Sequence, residues 1–111
     1  MTITVKNIVP RKQAENAQTA QYTAVNCKTV IDKFTVTNTT GAPVTFSANL
    51  VPNGGAASSA NCVLYNKSIA ANETYNCPEL VGQSLESGGF ISTLAGAATS
   101  LTISATGREI T

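Results

Sequence analysis

Residues Thr29 to Val51, TVIDKFTVTNTTGAPVTFSANLV, restrict the chain to few folds. Phe34 and Val36 alternate with Thr35 and Thr37. Beyond the breaker NTTGAP, Val44, Phe46, Ala48 and Leu50 alternate with Thr45, Ser47 and Asn49. An apolar/hydroxyl period of two over this length predicts half-buried antiparallel strands. Asn38, Gly41 and Pro43 supply the turn chemistry between them, so the stretch reads as a hairpin at the heart of a β-sandwich.

The surrounding composition agrees. Charged residues are 12% of the 111, about half the usual share, so polar surface must come from Thr, Ser and Asn. The chain has sixteen threonines, whose branched Cβ suits a pleated surface. Its length suits one domain that buries roughly two-thirds of its unfolded surface without metal or disulfide staples. Net charge is +1 with scattered Lys and Arg, which gives no electrostatic footprint for nucleic acid.

The opening MTITVKNIVPRKQ carries neither a long apolar core nor a small-residue cleavage pattern, and no apolar run approaches the roughly 20 residues of a membrane span. The expectation is a soluble protein made in a cytoplasm and free of the membrane. Cys27, Cys62 and Cys77 are odd in number and widely spaced, and there is no His. Zinc is therefore not expected, and the thiols read as free, buried small hydrophobes. A Cys62–Cys77 bridge would need pairing across neighbouring strands.

Taken in order, TITVK reads as a short strand with Ile3 and Val5 inward. The following IVPRKQAENAQTAQ lacks the bulky stripe of a packed helix, although Ala14, Ala17 and Ala20 would allow one helical turn. Residues 1–20 are expected to form an extended arm and residues 21–111 the sandwich. Short strands follow at Tyr22 to Asn26, in the central hairpin, in CVLYNKSI, from ETYNC to Pro78, in FISTLA and in SLTISATGREI. Leu80, Val81 and Leu85 should point inward, as should the three Phe. The tract PNGGAASSAN, residues 52–61, has no large side chain to pin it and reads as a mobile surface loop. The overall prediction is all-β, an antiparallel two-sheet β-sandwich of jelly-roll-like type with an extended N-terminal arm.

Residues suited to chemistry are scarce. With no His, the usual general base is missing. The carboxylates Glu15, Asp32, Glu73, Glu79, Glu86 and Glu109 fall in turns or at strand ends, where a solvated charge is ordinary. Asp32 interrupts VIDKF and marks a bulge or edge, or an ion pair with Lys28 or Lys33. Arg108 and Glu109 read as solvated, or as a bridge to an adjoining subunit. Asn38, Asn66 and Asn72 fit the glycosylation pattern but serve as turn formers. No catalytic, cofactor-binding or metal-binding residues are expected.

Three segments carry a resemblance: KFTVTNTTGAPVTFSANLVPNGG, KSIAANETYNCPELVGQSLESGG and the closing LTISATGREI. Over residues 22–111 the chain resembles small virion proteins of tailed bacteriophages. That resemblance implies a β-sandwich subunit that decorates or cements the capsid, assembled in the bacterial host cytoplasm and resident in the virion. Its partners would be the major capsid protein or other virion proteins, and further copies of itself as a dimer or trimer. Neck, collar, tail or fibre-base placement is the first alternative, and a receptor- or carbohydrate-binding sandwich the second.

The residues expected to touch partners are those with no evident means of packing internally. They are Ile8, Arg11 and Lys12 of the arm, with Val9 and Pro10 completing its apolar patch, and Asn53, Gly54 and Gly55 of the loop. On this reading, deleting residues 1–20 leaves the sandwich folded and abolishes attachment.

Overall fold

The computed structural model describes residues 1–111 and contains no helix. Nine strands form: β1 (Ile3–Gln13), β2 (Thr19–Thr23), β3 (Lys28–Asn38), β4 (Val44–Val51), β5 (Cys62–Ile69), β6 (Thr74–Tyr75), β7 (Ser84–Leu85), β8 (Phe90–Ala95) and β9 (Leu101–Ile110). Sheet I has the order β1-β9-β3-β6, with β7 also on β3; sheet II has the order β2-β8-β4-β5. All pairings are antiparallel.

With β6 and β7 counted as one interrupted strand, the nesting is plain. The first strand pairs with the last, the second with the next to last, the third with β6 and β7, and β4 with β5. The chain is one long antiparallel hairpin rolled into two sheets, which is the jelly-roll arrangement. Its tip is the loop 52–61.

Strand phase fills the space between the sheets. Ile31, Phe34 and Val36 of β3, Leu101, Ile103 and Ala105 of β9, and Phe46, Ala48, Ile69 and Ile91 of sheet II are buried together. Phe34 and Phe46 meet across the sheets with ring centroids 6.1 Å apart. Phe90 is only half-buried.

Irregularities flank β9 on both sides. The β1 register shifts between Lys6 and Val9 and again between Val9 and Lys12, each shift adding one residue to β1. The β3 register shifts between Ile31 and Lys33, which places the bulge at Asp32 as its break in the pattern predicts. Gly107 lies between the first β1 shift and the β3 shift. A Cβ there would come within 2.5 Å of the Val30 carbonyl oxygen, so the close backbone approach requires glycine.

The structure corrects several expectations. The strands of the central stretch form where expected, but β3 and β4 belong to opposite sheets and are not a hairpin. Period two fixes a strand and its faces and says nothing of its partner. Residues 3–13 are not an arm. They form the edge strand β1 and place Ile8, Val9 and the adjoining Ala14 in the core. Deleting residues 1–20 would therefore remove one edge of sheet I and open the core.

Ile3 and Val5 face outward, at 52% and 73% exposure, because the extra residue at Asn7–Ile8 inverts the phase counted back from Val9. Val81 is exposed, whereas Leu80 and Leu85 are buried. The strand expected up to Pro78 shrinks to Thr74–Tyr75, and Cys77 adopts φ 43°. The loop 52–61 is held by amides instead of large side chains. Asn49 Nδ2 donates to the Ser58 carbonyl at 2.8 Å and to Asn61 Oδ1 at 2.8 Å, and Asn61 Nδ2 donates to the Ala56 carbonyl at 2.9 Å.

All three cysteines are free thiols. Cys27 and Cys77 are buried, and Cys62 is half-buried rather than buried. Burial pushes the Cys77 thiol up to about 12.

Candidate interaction surface

The outer face of sheet I divides into two halves made by the same three strands. In the half near the chain termini, cross-strand neighbours form two rows: Ile3, Ile110 and Lys28, then Val5, Arg108 and Val30. Even-numbered β9 residues point outward because Leu101, Ile103 and Ala105 point in. Ile3, Val5, Val30 and Ile110 thus make an apolar patch. Arg108 crosses it to Asp32, with Nη2 3.0 Å from Oδ1 and Nε donating to both carboxylate oxygens at 3.1 Å. This pair is internal to the chain, and Asp32 takes Arg108 instead of Lys28 or Lys33.

The other half of the same face is polar. Asn7 and Arg11 of β1, Lys33, Thr35 and Thr37 of β3, and Thr102, Ser104 and Thr106 of β9 surround a half-open hollow of about 340 Å³. Both β1 residues stand at register shifts.

On sheet II the exposed aromatic is Tyr65, at 75% exposure, beside a smaller hollow lined by Gln18, Ser47, Asn49 and Asn66. Tyr65 and Asn66 sit opposite Ser47 where β5 carries an extra residue. Asn66 takes φ 50°, its N–H donates to Ser47 Oγ at 2.8 Å, and Ser47 Oγ donates back to Asn66 Oδ1 at 3.3 Å.

The expected contact residues do not come together. Ile8 and Val9 are core residues and cannot form an exposed patch. Pro10, Arg11 and Lys12 are exposed on β1 near the Ile103 level of β9. Lys12 is tied to Glu15 at 2.9 Å. Asn53, Gly54 and Gly55 are exposed at the opposite end, where Asn53 packs on Gly88 so closely that a Cβ at that glycine would meet its Cγ at 2.4 Å. The sequence does not show the apolar patch, because the bulge signal, two adjacent large aliphatics in NIVP, reads as an ordinary apolar cluster.

Titratable groups are held in structural networks. Glu109 is kept below the usual carboxylate range chiefly by the Tyr22 hydroxyl, with Lys6 adding to it. Glu79 is lowered by the Tyr75 hydroxyl, and Glu15 by Gln21 and then Lys12.

No protein-family model and no curated protein matches this chain. Among solved structures it aligns over 98% of its length with 32% of a chain in the structure of infectious bursal disease virus, Gx strain, at 14% identity and TM-score 0.42. The protein spans about a third of that chain, and a likeness this remote assigns neither family nor activity.

Proposed function

We propose that the protein is a structural subunit of a virus particle, and more narrowly a decoration or cement protein that bridges capsomers on a tailed-bacteriophage head. The reading is carried by the apolar patch on the outer face of sheet I, where exposed Ile3 and Val5 lie beside half-buried Val30 and Ile110. Single exposed aliphatics are ordinary, but a contiguous group on one sheet face marks a surface that another protein covers. Covering Ile3 and Val5, which are 52% and 73% exposed, contributes less than the roughly 1.5–3 kcal/mol of a fully exposed side chain, for each of the two. Repeated over many copies, that adds to the free energy that holds neighbouring capsomers together. The sequence resemblance over residues 22–111 supports membership of a phage virion, and placement on the head is part of the proposal.

The test is cryo-electron microscopy of the phage that encodes this chain, with wild type compared against Val5→Asp. Wild-type copies at local symmetry axes across the shell, with their sheet I face against capsomers and lost in Val5→Asp, are the expected result. Copies confined to the unique vertex would replace the head by the neck or tail. A particle without this jelly roll would sink the reading.

A further inference from the structure

The polar hollow on sheet I gathers the cations that the rest of the chain leaves unpaired. Of the seven Lys and Arg, four are neutralised by carboxylates: Lys6 by Glu109, Lys12 by Glu15, Lys28 by Glu86 and Arg108 by Asp32. Lys67 lies over the Tyr75 ring at 4.9 Å. Only Arg11 and Lys33 have neither a carboxylate nor an aromatic partner, and both line the same hollow. No carboxylate lines it. The hydroxyls of Thr35, Thr102, Ser104 and Thr106 make no hydrogen bond within the chain, so its donors are free as well.

Position explains how two cations on different strands share one site. Lys33 is level with Thr106 of β9, and Arg11 falls opposite Ser104 between the Val9–Ala105 and Lys12–Ile103 pairs. They flank β9 two strand spacings apart, about 10 Å, within reach of two long side chains leaning over a central strand. The register shift at Pro10–Arg11 brings Arg11 to this side.

We infer that this hollow binds an acidic sugar, a ring carrying a carboxylate among several hydroxyls. The guanidinium fork matches a carboxylate in two parallel hydrogen bonds, and the ammonium adds a second donor group from the far wall. The remaining lining is hydroxyl and amide, the complement of a ligand polar all round. At about 340 Å³ the hollow is at the lower end of small-molecule sites, and larger than a bare oxyanion needs. Ala105 is its one apolar lining residue, whereas a protein-docking site has an apolar centre. The inference is independent of the virion reading.

The test is titration of the folded, isotope-labelled chain with glucuronate, galacturonate and N-acetylneuraminate. Glucose and inorganic phosphate are the comparison ligands, and amide shifts are the readout. At least one acidic sugar should move residues 33–37 and 102–106 saturably. Arg11→Gln should weaken it about tenfold or more, as loss of a hydrogen-bonded charge does, and Lys33→Gln should weaken it as well. Lys12→Gln, which alters the neighbouring but already paired cation, should leave it unchanged. The inference is overturned if no acidic sugar binds, if shifts map elsewhere, if glucose binds equally, or if phosphate matches the best sugar. It is also overturned if Arg11→Gln binds like wild type.

Discussion

The β3–β9 pair closes the sandwich at both of its ends, by different means. At the Asn38–Leu101 end, a neutral amide is fully buried. Asn38 Nδ2 donates to the carbonyls of Ala42 at 2.8 Å and Ile69 at 3.0 Å, while Oδ1 accepts from the Thr40 N–H at 2.9 Å and the Thr40 hydroxyl at 2.7 Å. One side chain thus holds the turn between the sheets and ties it to β5. At the Thr29–Glu109 end, the Tyr22 hydroxyl of sheet II donates to Glu109 and bonds Thr29 at 2.7 Å, and Lys6 approaches Glu109 to 3.4 Å. A neutral closure depends on geometry alone. A closure through a carboxylate, a phenol and an ammonium also depends on pH and salt.

The largest effect is expected at the neutral end. Asn38→Ala removes four hydrogen bonds and leaves the Ile69 carbonyl, in a fully buried residue, without that donor. Denaturant unfolding should show a loss of about 3 kcal/mol, constant from pH 5 to pH 9. A loss that varied with pH over that range would contradict a neutral closure.

Tyr22→Phe should cost less, about 1–2 kcal/mol, and its cost should follow pH. The Tyr22 hydroxyl lowers Glu109 from its ordinary 4.5, so the stability it adds is present above that value and lost as pH falls through the lower folded value. Burial, then the Glu109 hydrogen bond, raise Tyr22 from 10.0. That contribution is full below pH 10 and is lost as pH rises further. The gap between wild type and variant should therefore be widest between about pH 5 and pH 9 and narrow on both sides, as read from unfolding at a series of pH values. A flat gap would mean that the phenol acts by packing alone.

The two ends were unequally legible in the sequence. Alternation in FTVT, VTFSANL and LTISA assigned strands and inward faces, because period two is a local property. Asn38 was recognised as a turn former, but its burial was not, since that depends on Ile69 of a strand thirty-one positions on. The charged closure joins Tyr22, Thr29 and Glu109 through the pairing of the first strands with the last, which no local pattern announces. The same holds for Arg11 and Lys33, which read as ordinary surface charges until β9 is placed between them. Bulges did the rest. One extra residue in β1 reversed the faces of Ile3 and Val5, and only the Asp32 bulge left a visible mark, as a charge inside an apolar run.

Cys27 offers a local reporter for the charged end. Its buried thiol lies 3.6 Å from Thr29 Oγ1, whereas Cys77 is buried elsewhere and raised to about 12. In a Cys62→Ser background, slow labelling by a disulfide reagent should report opening around Cys27. Tyr22→Phe should accelerate it about tenfold at neutral pH if the opening there is local and costs about 1.4 kcal/mol less. Equal labelling rates in the two proteins would show that this end opens only with global unfolding.

The smallest effect belongs to Lys6. Its Nζ stands 3.4 Å from Glu109 Oε2, but the lysine side chain is 45% exposed, so solvent and salt screen the attraction. Lys6→Gln should cost about 0.5 kcal/mol or less in dilute buffer and nothing measurable at 1 M salt. Glu109 would keep its hydrogen bond from Tyr22, so the pH profile of that variant should match wild type in shape. If Lys6→Gln cost as much as Tyr22→Phe and kept that cost in high salt, the carboxylate would be held chiefly by the ammonium, and the closure would be an ion pair with a phenol beside it.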